Sequence, residues 1–358
     1  MRKRIHSLVV LILAATLAPA AARPCTTFCL KVKDGGVFYG RNFDFPTGLG
    51  KIHVNPRGLK KTSLVNPPEK PLTWVSKYGS ISFNQNGREF PYGGMNEAGL
   101  VIEQMWNNDG TYSAPDDRSG LGELQWIQYQ LDTSASVADV LASDRLVRIS
   151  NTSLAPLHFL IADARGDAAA LEYVDGKTVV HAGKDLPYAV LANNSYDVSL
   201  DFRSSRESGA PKAFDDATRE SSGRFARAAA MVEADKGASE GAIDRAFEIL
   251  AAVTGTNTQW SIVYDLGKRT IVYKTRDNKN LRRVEMDRFD FSCSMNRLCV
   301  DIEDNARDPA DFEPYTDVGN AKLIDNVWAG VEFLKGIPDE IRAAYAGYPA
   351  TVRCAGDE

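Results

Sequence analysis

The sequence predicts an α+β fold in which helices pack on mostly antiparallel sheets. Runs that alternate between apolar and polar residues, as half-buried strands do, occur in groups joined by short turns. Runs with helical periodicity form separate groups between the strand groups. This separation favours layers of helix on antiparallel sheet over a parallel, doubly wound sheet, in which single strands and helices would alternate.

The first strand pair is predicted directly after Cys25. Residues 27–33 and 37–40 both have the extended pattern, and the Asp-Gly-Gly sequence between them is typical of a tight turn. These residues therefore predict a hairpin that begins at Cys25. The returning strand leads back toward the start of the first one, so we expect Arg41 and Asp44 to lie beside Cys25.

The other strands and helices follow from the same two periodicities. Strands are predicted over residues 101–105, 158–162, 169–174, 178–181, 188–191, 260–264 and 270–273. Helices are predicted over residues 121–131, 136–147, 224–234, 242–253 and 321–334. Residues 201–222 are rich in Ser, Arg, Asp and Gly, and we predict that they form a long exposed loop.

The N-terminal segment has the three parts of a secretory signal. Residues 2–4 are basic, residues 8–17 are apolar, and residues 18–22 supply the small side chains of a cleavage site. The apolar run is shorter than the roughly 20 residues that a membrane helix needs, and no other run approaches that length. We expect residues 1–24 to be a signal peptide and short pro-segment. Residues 25–358 are then expected to form a single exported domain, periplasmic or secreted, without a membrane anchor.

Charge and motif content exclude several classes of function. The formal net charge is −5, and loss of the four basic residues of the leader takes it to −9. An acidic chain of this kind is not expected to bind nucleic acid or an anionic membrane surface. The sequence has no His-Glu-x-x-His motif, zinc ribbon or phosphate loop, so we expect neither a metal nor a cofactor.

The chain has five cysteines, an odd number for an exported protein in which disulfides use cysteines in pairs. Cys293 and Cys299 could close a small loop, and Cys29 and Cys354 could join the two ends of the chain. These pairings would leave Cys25 as the free thiol. A bridge between Cys25 and Cys29 is a competing possibility, in which Cys25 is only a half-cystine.

Cys25 could act as a nucleophile that carries its own base. Trimming past Pro24 would free its α-amino group, whose pKa of about 7.7–8.0 suits it to take the thiol proton. Signal cleavage after Ala20 or Ala22 leaves residues in front of Cys25, so a further cleavage is required, which could be self-catalysed. A lipid anchor on Cys25 is disfavoured because Arg23 and Pro24 stand where small residues are needed.

Five short motifs follow one another along the chain. They are Cys25-Thr26, Gly40-Arg41-Asn42-Phe43-Asp44, Gly94-Met95-Asn96-Glu97-Ala98-Gly99-Leu100, Leu191-Ala192-Asn193-Asn194 and Ser221-Ser222-Gly223-Arg224-Phe225. Together they resemble the choloylglycine hydrolase family of bile salt hydrolases and penicillin V acylases, and the resemblance runs from Cys25 to about Arg283. It implies an N-terminal-nucleophile hydrolase of linear amides, with a four-layer αββα sandwich of antiparallel sheets.

The resemblance implies a catalytic set of Cys25, Arg41, Asp44, Asn193 and Arg224. Cys25 would be the nucleophile, and the Asp44 carboxylate would accept hydrogen bonds from the α-amino group. Arg41 and Arg224 would lie near the thiol, where positive charge favours the thiolate. Asn193 would donate its side-chain amide to the oxyanion.

The resemblance also implies further oxyanion and substrate residues. The backbone N–H of Trp106, ten residues after Asn96, would be the second oxyanion donor, and Asn96 itself belongs to the implied site. Asn194 is an alternative to Asn193, because the family usually has a residue and a proline after this asparagine, whereas this chain continues with Asn194 and Ser195.

A tryptophan at position 106 resembles the exported Gram-negative penicillin V acylases, some of which also cleave N-acyl homoserine lactones. With Phe45 and Tyr92 as neighbours, it could stack on a phenyl or other apolar acyl group. The alternatives are a buried structural role for Trp106, bile acid amides as substrates, transfer of the acyl group to a second amine, and an exported binding protein without catalysis. The resemblance further implies a homotetramer.

Overall fold

The computed structural model describes residues 25–209 and 212–356, so the predicted signal peptide and pro-segment lie outside the described residues. The strands, in chain order, are β1 (Thr26–Lys31), β2 (Val37–Asp44), β3 (Lys51–Asn55), β4 (Leu59–Thr62), β5 (Thr73–Val75), β6 (Ser80–Asn84), β7 (Pro91–Asn96), β8 (Val101–Trp106), β9 (Ser119–Leu121), β10 (Val147–Ile149), β11 (Leu157–Ala162), β12 (Ala168–Val174), β13 (Lys177–Ala182), β14 (Val190–Leu191), β15 (Thr258–Asp265), β16 (Thr270–Thr275), β17 (Arg282–Glu285), β18 (Leu298–Asp301), β19 (Glu313–Pro314) and β20 (Arg353–Cys354). The α-helices are α1 (Glu123–Thr133), α2 (Val137–Ser143), α3 (Tyr196–Glu207), α4 (Asp216–Ala234), α5 (Ala242–Ala252), α6 (Asp317–Gly330) and α7 (Asp339–Gly347).

The first large sheet has six antiparallel strands in the order β14-β1-β2-β15-β16-β17. The predicted hairpin is confirmed as β1 and β2, with Thr26 opposite Asn42. This register carries Cys25 to the end of β2, where Phe43 and Asp44 lie. Successive side chains of β2 point to opposite faces of the sheet, as the pleat requires.

The second large sheet has nine antiparallel strands in the order β13-β12-β11-β8-β7-β6-β3-β18-β19. Several of its strands were not predicted. Buried polar side chains interrupt the expected alternation there, because they hydrogen-bond to one another inside the sheet. The Asn55 amide, for example, donates to Ser82 Oγ at 2.8 Å and to Ser80 Oγ at 3.2 Å.

The two large sheets face each other between layers of helix. Tyr39 of β2 donates its hydroxyl to Leu160 O of β11 at 2.9 Å, across the interface between the sheets. On the other face of β2, the Asn42 amide donates to Leu250 O of α5 at 2.8 Å. Helices α4 and α5 cover the six-stranded sheet and α1 covers the nine-stranded sheet. The predicted four-layer αββα sandwich is confirmed.

The disulfide differs from both predicted pairings. Cys293 bonds to Cys354, with 5.7 Å between their Cα atoms, and Cys25, Cys29 and Cys299 are free. Pairing of β20 with β4 brings the C-terminal segment next to the loop that carries Cys293. The predicted Cys293–Cys299 and Cys29–Cys354 bridges are therefore wrong, and the Cys25–Cys29 alternative does not form.

The predicted loop over residues 201–222 is also wrong, because most of it belongs to α3 and α4. Each helix has a polar cap: Ser195 accepts from Val198 N–H, and Asp215 accepts from Thr218 N–H. Such caps satisfy N–H groups that a helix start leaves unpaired. Most of the charged residues that suggested a loop, such as Arg206, Glu207 and Asp216, lie on the exposed faces of these two helices, whereas Arg203 is buried. No helix within the described ranges is long and apolar enough to cross a membrane.

Candidate active site

Cys25 lies immediately before β1, and its thiol is enclosed by the end of β2. The Asp44 N–H donates to Cys25 Sγ at 3.4 Å, and the thiol can donate to Asp44 O at 3.6 Å. The side chain is 4% exposed. The hairpin register therefore fixes the sulfur atom between two backbone groups of one residue.

The environment of Cys25 favours the protonated thiol. Burial raises its pKa, and Arg41 and Arg224 offset only part of this rise, while Asp44 adds to it. Because the thiolate is the nucleophilic form, a catalytic role for this cysteine would require a base close to its sulfur atom.

The two carboxyl oxygens of Asp44 differ in their hydrogen bonding. Its Oδ1 accepts from Thr258 Oγ1 at 2.5 Å, whereas Oδ2 is buried and has no hydrogen-bond partner among the described residues. Burial raises the pKa of Asp44 to about 7, against the lowering effects of Thr258, Arg224 and Arg41. A buried acceptor of this kind is suited to a donor that arrives next to Cys25.

Arg224 of α4 connects Cys25 to the neighbouring turn. Its Nη1 donates to Cys25 O at 2.5 Å and also to Thr26 Oγ1, and its Nη2 donates to Asn193 Oδ1 at 3.1 Å. Glu220, one turn earlier in α4, accepts from Arg224 Nε at 2.9 Å and holds the guanidinium from the other side. One fully buried cation thus orients both Cys25 and Asn193.

The two candidate asparagines point in different directions. Asn193 Oδ1 accepts a hydrogen bond from Arg224, and Asn193 Nδ2 donates one to Trp106 O at 3.0 Å. Asn194 instead donates from Nδ2 to Ser222 Oγ at 2.8 Å, on α4. The geometry therefore favours Asn193 over Asn194 as an oxyanion donor.

A buried polar cluster holds the turn that carries Asn193. One ring nitrogen of His158, Nε2, lies 2.7 Å from Ala192 O, and the other, Nδ1, lies 2.9 Å from Glu172 Oε1. Glu172 also accepts from Tyr196 N–H and contacts His181 at 3.2 Å. Burial raises the pKa of Glu172, but these hydrogen bonds outweigh it and bring the pKa to about 2. The carboxylate therefore stays ionised beneath the turn.

Arg41 crosses from β2 to the facing sheet. Its Nη1 donates to Tyr92 O at 3.0 Å and to the Glu103 carboxylate, which also accepts from Tyr264 Oη at 2.5 Å. Gly93 makes room for this carboxylate, because a Cβ there would lie 1.9 Å from Glu103 Oε2. Arg41 thus supplies positive charge near Cys25 while it joins the two sheets.

A largely apolar cleft of about 530 Å³, including its open mouth, begins at Cys25 and Asp44. Phe45, Tyr92 and Trp106, all predicted for the site, line it. Their rings form a continuous series with Phe333: Phe45 lies 5.8 Å from Tyr92, and Trp106 lies 5.6 Å from Phe333 between ring centroids. Trp106 is half-buried, so its ring is part of the cleft surface.

The backbone of Trp106 faces the same region as the Asn193 amide. Asn107 N–H donates to Pro156 O at 2.9 Å on the β11 side of the strand. In an antiparallel ladder the next residue points its N–H and C=O to the opposite side. Trp106 O accepts from Asn193 on that side. The Trp106 N–H therefore points toward the region where Asn193 lies.

Asn96 is not part of the cleft lining. Its Nδ2 donates to Leu131 O at 2.9 Å and to Ser134 O at 2.7 Å, and its Oδ1 accepts from the Ala98 and Leu100 N–H groups. All its hydrogen-bonding groups are used to close a turn and to fasten that turn to the end of α1. These hydrogen bonds give Asn96 a structural role in the turn, and its assignment to the site stays a prediction.

Several residues of the site were not predicted from the sequence. They are Glu103, Thr258, Glu220, Tyr264, Glu123 and Phe333. Two of them had a visible signal: Glu103 interrupts an apolar strand, and Glu220 precedes Arg224 by four residues, a spacing that places both on one helix face. Within the described residues, no group of three or more His, Cys, Asp or Glu side chains could hold a metal ion.

Known proteins share both the sequence and the fold. A family model described as linear amide C–N hydrolases, choloylglycine hydrolase family, matches residues 25–301. Penicillin V acylase of Pectobacterium atrosepticum is 28% identical over 252 residues, which cover 64% of this chain and 66% of the relative, just under two thirds of its length.

Two solved structures match most of the chain. Penicillin V acylase from Agrobacterium tumefaciens has a TM-score of 0.69 at 24% identity, over 82% of this chain and 98% of that one. A mutant conjugated bile acid hydrolase from Clostridium perfringens has a TM-score of 0.60 at 21% identity, over 82% and 96% of the respective chains. These similarities and the αββα sandwich define the N-terminal-nucleophile hydrolase fold. The chain belongs to the choloylglycine hydrolase family of linear amide C–N hydrolases.

Proposed function

We propose that this protein hydrolyses a linear amide through an acyl thioester on Cys25. The observation that carries the proposal is the position of Cys25 in the lining of an apolar cleft, with its sulfur between backbone groups of Asp44 and its carbonyl held by Arg224. Membership of a family of linear amide hydrolases supports the bond type.

The first step needs a base, and we propose that the α-amino group of Cys25 supplies it once the preceding residues are removed. The unpaired Asp44 Oδ2 would accept a hydrogen bond from this amine and orient it. The amine takes the thiol proton as Sγ bonds to the carbonyl carbon. The Asn193 amide and the Trp106 N–H stabilise the oxyanion that forms.

The same proton then completes the first half of the reaction. The α-ammonium group passes it to the leaving nitrogen as the C–N bond breaks, which releases the amine and leaves the thioester. In the second half, the α-amino group deprotonates a water molecule that attacks the thioester carbonyl. The C–S bond breaks, the thiol regains a proton, and the carboxylic acid leaves.

The cleft supports an apolar acyl group as the part of the substrate that is bound. Phe45, Tyr92, Trp106 and Phe333 offer ring surfaces for a phenoxyacetyl or similar group. The similarity of the chain to a penicillin V acylase supports an acyl group of this kind. Aliphatic side chains, including Leu124 and Leu157, extend the lining and would suit the acyl chain of an N-acyl homoserine lactone.

The test is to replace Cys25 by alanine and to assay phenoxyacetyl, N-acyl homoserine lactone and bile acid amides. We expect the variant to keep its fold, measured by circular dichroism, and to lose amide cleavage. Full residual activity would overturn the proposal. Comparison of acid release with conjugate formation separates hydrolysis from acyl transfer, and a protein that binds these amides without cleaving any would be a binding protein.

Maturation, export and assembly complete the proposal. We propose that residues 1–24 direct export to the periplasm or beyond, that cleavage then exposes Cys25, and that the mature protein forms a homotetramer. Fractionation of cells that produce the full chain, followed by light scattering on the purified protein, tests export and assembly. Mature protein in the cytoplasm, or a monomer in solution, would contradict the corresponding part.

A further inference from the structure

Glu123, the first residue of α1, places a carboxyl group in the lining of the apolar cleft that contains Cys25. The residue is 2% exposed, and its Oε2 atom has no hydrogen-bond partner within the described part of the chain. Its neighbours in the lining include Leu124, Leu154 and Leu157. An unpaired carboxyl among aliphatic side chains costs free energy unless another group satisfies it.

Other polar groups lie around Glu123 without satisfying it. Burial raises the pKa of Glu123, and its own backbone N–H, the Ser153 hydroxyl and the backbone N–H groups of Leu154 and Ala155 offset only part of this rise. None of these groups forms a hydrogen bond of normal geometry with Glu123 Oε2, and the buried Ser153 Oγ atom likewise lacks such a bond among the described residues. Tyr345 lies near enough that the negative charge of Glu123 adds to the effect of burial in raising the pKa of its hydroxyl, and its ring lines the same cleft. A small polar patch of Glu123, Ser153 and Tyr345 thus adjoins the apolar lining.

The helix accounts for only part of this arrangement. A carboxylate in the first turn interacts favourably with the helix dipole, and many helices have one there. Asp139 does this for α2 from an exposed position. The dipole gives no reason for Glu123 to be buried with an unpaired oxygen in the cleft, where water would hydrate the carboxyl better. A bound ligand that carries a hydrogen-bonding group would give such a reason.

We propose that Glu123 selects acyl groups that carry a hydroxyl on the chain, at a distance from the scissile carbonyl. This inference rests on the proposed function, since it names the acyl group that the same cleft accepts. A hydroxyl can both donate and accept a hydrogen bond, so it pairs with Glu123 in either protonation state. An unsubstituted acyl chain would leave Glu123 Oε2 unpaired against methylene groups, which disfavours that substrate.

The experiment compares substrates within one protein, so a general loss of stability does not affect it. The probes are the para-nitroanilide of decanoic acid and its isomers with one hydroxyl at successive carbons. The ratio of kcat/KM for a hydroxylated isomer to that for the parent amide is the readout. We expect the wild type to prefer one hydroxyl position by about tenfold, which corresponds to about 1.4 kcal/mol.

Three variants assign that preference to Glu123. Glu123→Met keeps a similar length without a hydrogen-bonding oxygen, and we expect the ratio to fall to about one or below. Glu123→Gln keeps a hydrogen-bonding amide, and we expect it to retain a preference for the same position. Asp139→Leu, which removes the first-turn carboxylate of α2 outside the cleft, should keep the wild-type ratio. Thermal melting checks that each variant is folded.

Equal rates for all isomers in the wild type would overturn the inference, whether or not the variants fold. An unchanged ratio in Glu123→Met would also overturn it. If the wild type cleaves none of these amides, the proposed function fails for them, and calorimetry with decanoic acid and its hydroxylated isomers then tests the inference alone. Tighter binding of one hydroxylated acid, lost in Glu123→Met, supports it, and equal binding of all the acids overturns it.

Discussion

The protonation state of Asp44 should depend on whether other residues precede Cys25 in the chain. In the structure, the thiol and a carboxyl group are both buried and both favour their neutral forms. An α-amino group freed at Cys25 would bring a positive charge next to the unpaired Asp44 Oδ2. Opposite charge lowers the pKa of a carboxyl group, so removal of the preceding residues should convert Asp44 to a carboxylate.

This dependence predicts how Asp44→Asn changes stability. In the chain that still carries residues before Cys25, the pKa of Asp44 is raised to about 7. The folded state thus holds the proton more tightly than the unfolded state, whose value is about 3.9. Ionisation of Asp44 therefore lowers the free energy of unfolding. This loss is negligible at pH values well below the unfolded pKa and reaches its full value above the folded pKa.

In a Cys25→Ala background that retains these residues, Asp44→Asn should therefore raise the free energy of unfolding by about 4 kcal/mol near pH 8, and leave it unchanged near pH 3. Urea unfolding at the two pH values measures this. Asp167→Asn, at an exposed position, is the matched control. A gain confined to the acidic pH would contradict the assignment.

The adjacent asparagines provide a matched pair for the oxyanion assignment. Asn193→Ala should lower kcat by about a hundredfold to a thousandfold with little change in KM, because its amide would act only in the transition state. Asn194→Ala removes a hydrogen bond to α4 and should lower stability while kcat stays within a few-fold. Steady-state kinetics on both variants tests which asparagine donates to the oxyanion. A larger loss of kcat in Asn194→Ala than in Asn193→Ala would assign that role to Asn194.

At the scale of elements, β2 and α4 do most to organise the site. β2 carries Arg41 toward the facing sheet and ends at Asp44 beside Cys25, and α4 presents Arg224 to both Cys25 and Asn193. The hairpin of β1 and β2 was predictable because its strands are adjacent in sequence and joined by a glycine turn. Contacts between Arg41 and Glu103, or Asp44 and Thr258, were not, because they depend on how distant strands align.

Close packing between β7 and β8 predicts the effect of Gly93→Ala. The new methyl group would overlap the Glu103 carboxylate, which is held by Arg41 and Tyr264 and cannot move freely. We expect a loss of about 1–3 kcal/mol in the free energy of unfolding, together with reduced kcat, because Arg41 would shift near Cys25.

The control for Gly93→Ala is Gly330→Ala. A Cβ at Gly330 would meet nothing within 4 Å, so this substitution in α6 should leave stability equal or slightly higher. Chemical denaturation of the two variants, with amide hydrolysis assayed in parallel, makes the comparison. Equal stability of Gly93→Ala and the wild type would show that Arg41 and Tyr264 do not hold the Glu103 carboxylate in place against Gly93.

At the scale of the whole molecule, the fold was more predictable than the site. Strand and helix periodicities predict helices packed on antiparallel sheets, and the family resemblance implies the four-layer αββα order, which the solved structures confirm. The lining of the cleft could not be predicted from the same patterns. Glu123 at the start of α1 and Phe333 between α6 and α7 both line it, although they are far from Cys25 in sequence. Their place depends on packing between layers, which leaves no local pattern.

The disulfide should stabilise the whole chain without taking part in catalysis. The Cys293–Cys354 bridge closes a segment of 61 residues that includes α6 and α7. Its removal by the Cys293→Ser and Cys354→Ser pair should lower the free energy of unfolding by about 2–4 kcal/mol. Urea unfolding measures this loss, and kcat/KM of the folded variant should stay near the wild-type value. Cys299→Ser, at a free cysteine, is the control, and an equal loss of stability there would contradict the assignment.

The central claim is that Cys25, as the first residue of the mature chain, carries the acyl group during catalysis. The most direct measurement is mass spectrometry of active protein quenched with acid during turnover of a phenoxyacetyl amide, with fragmentation of the N-terminal peptide. We expect a chain that begins at Cys25 and an acyl adduct on that residue. Active protein with another N-terminus, or an acyl group on a different side chain, would contradict it.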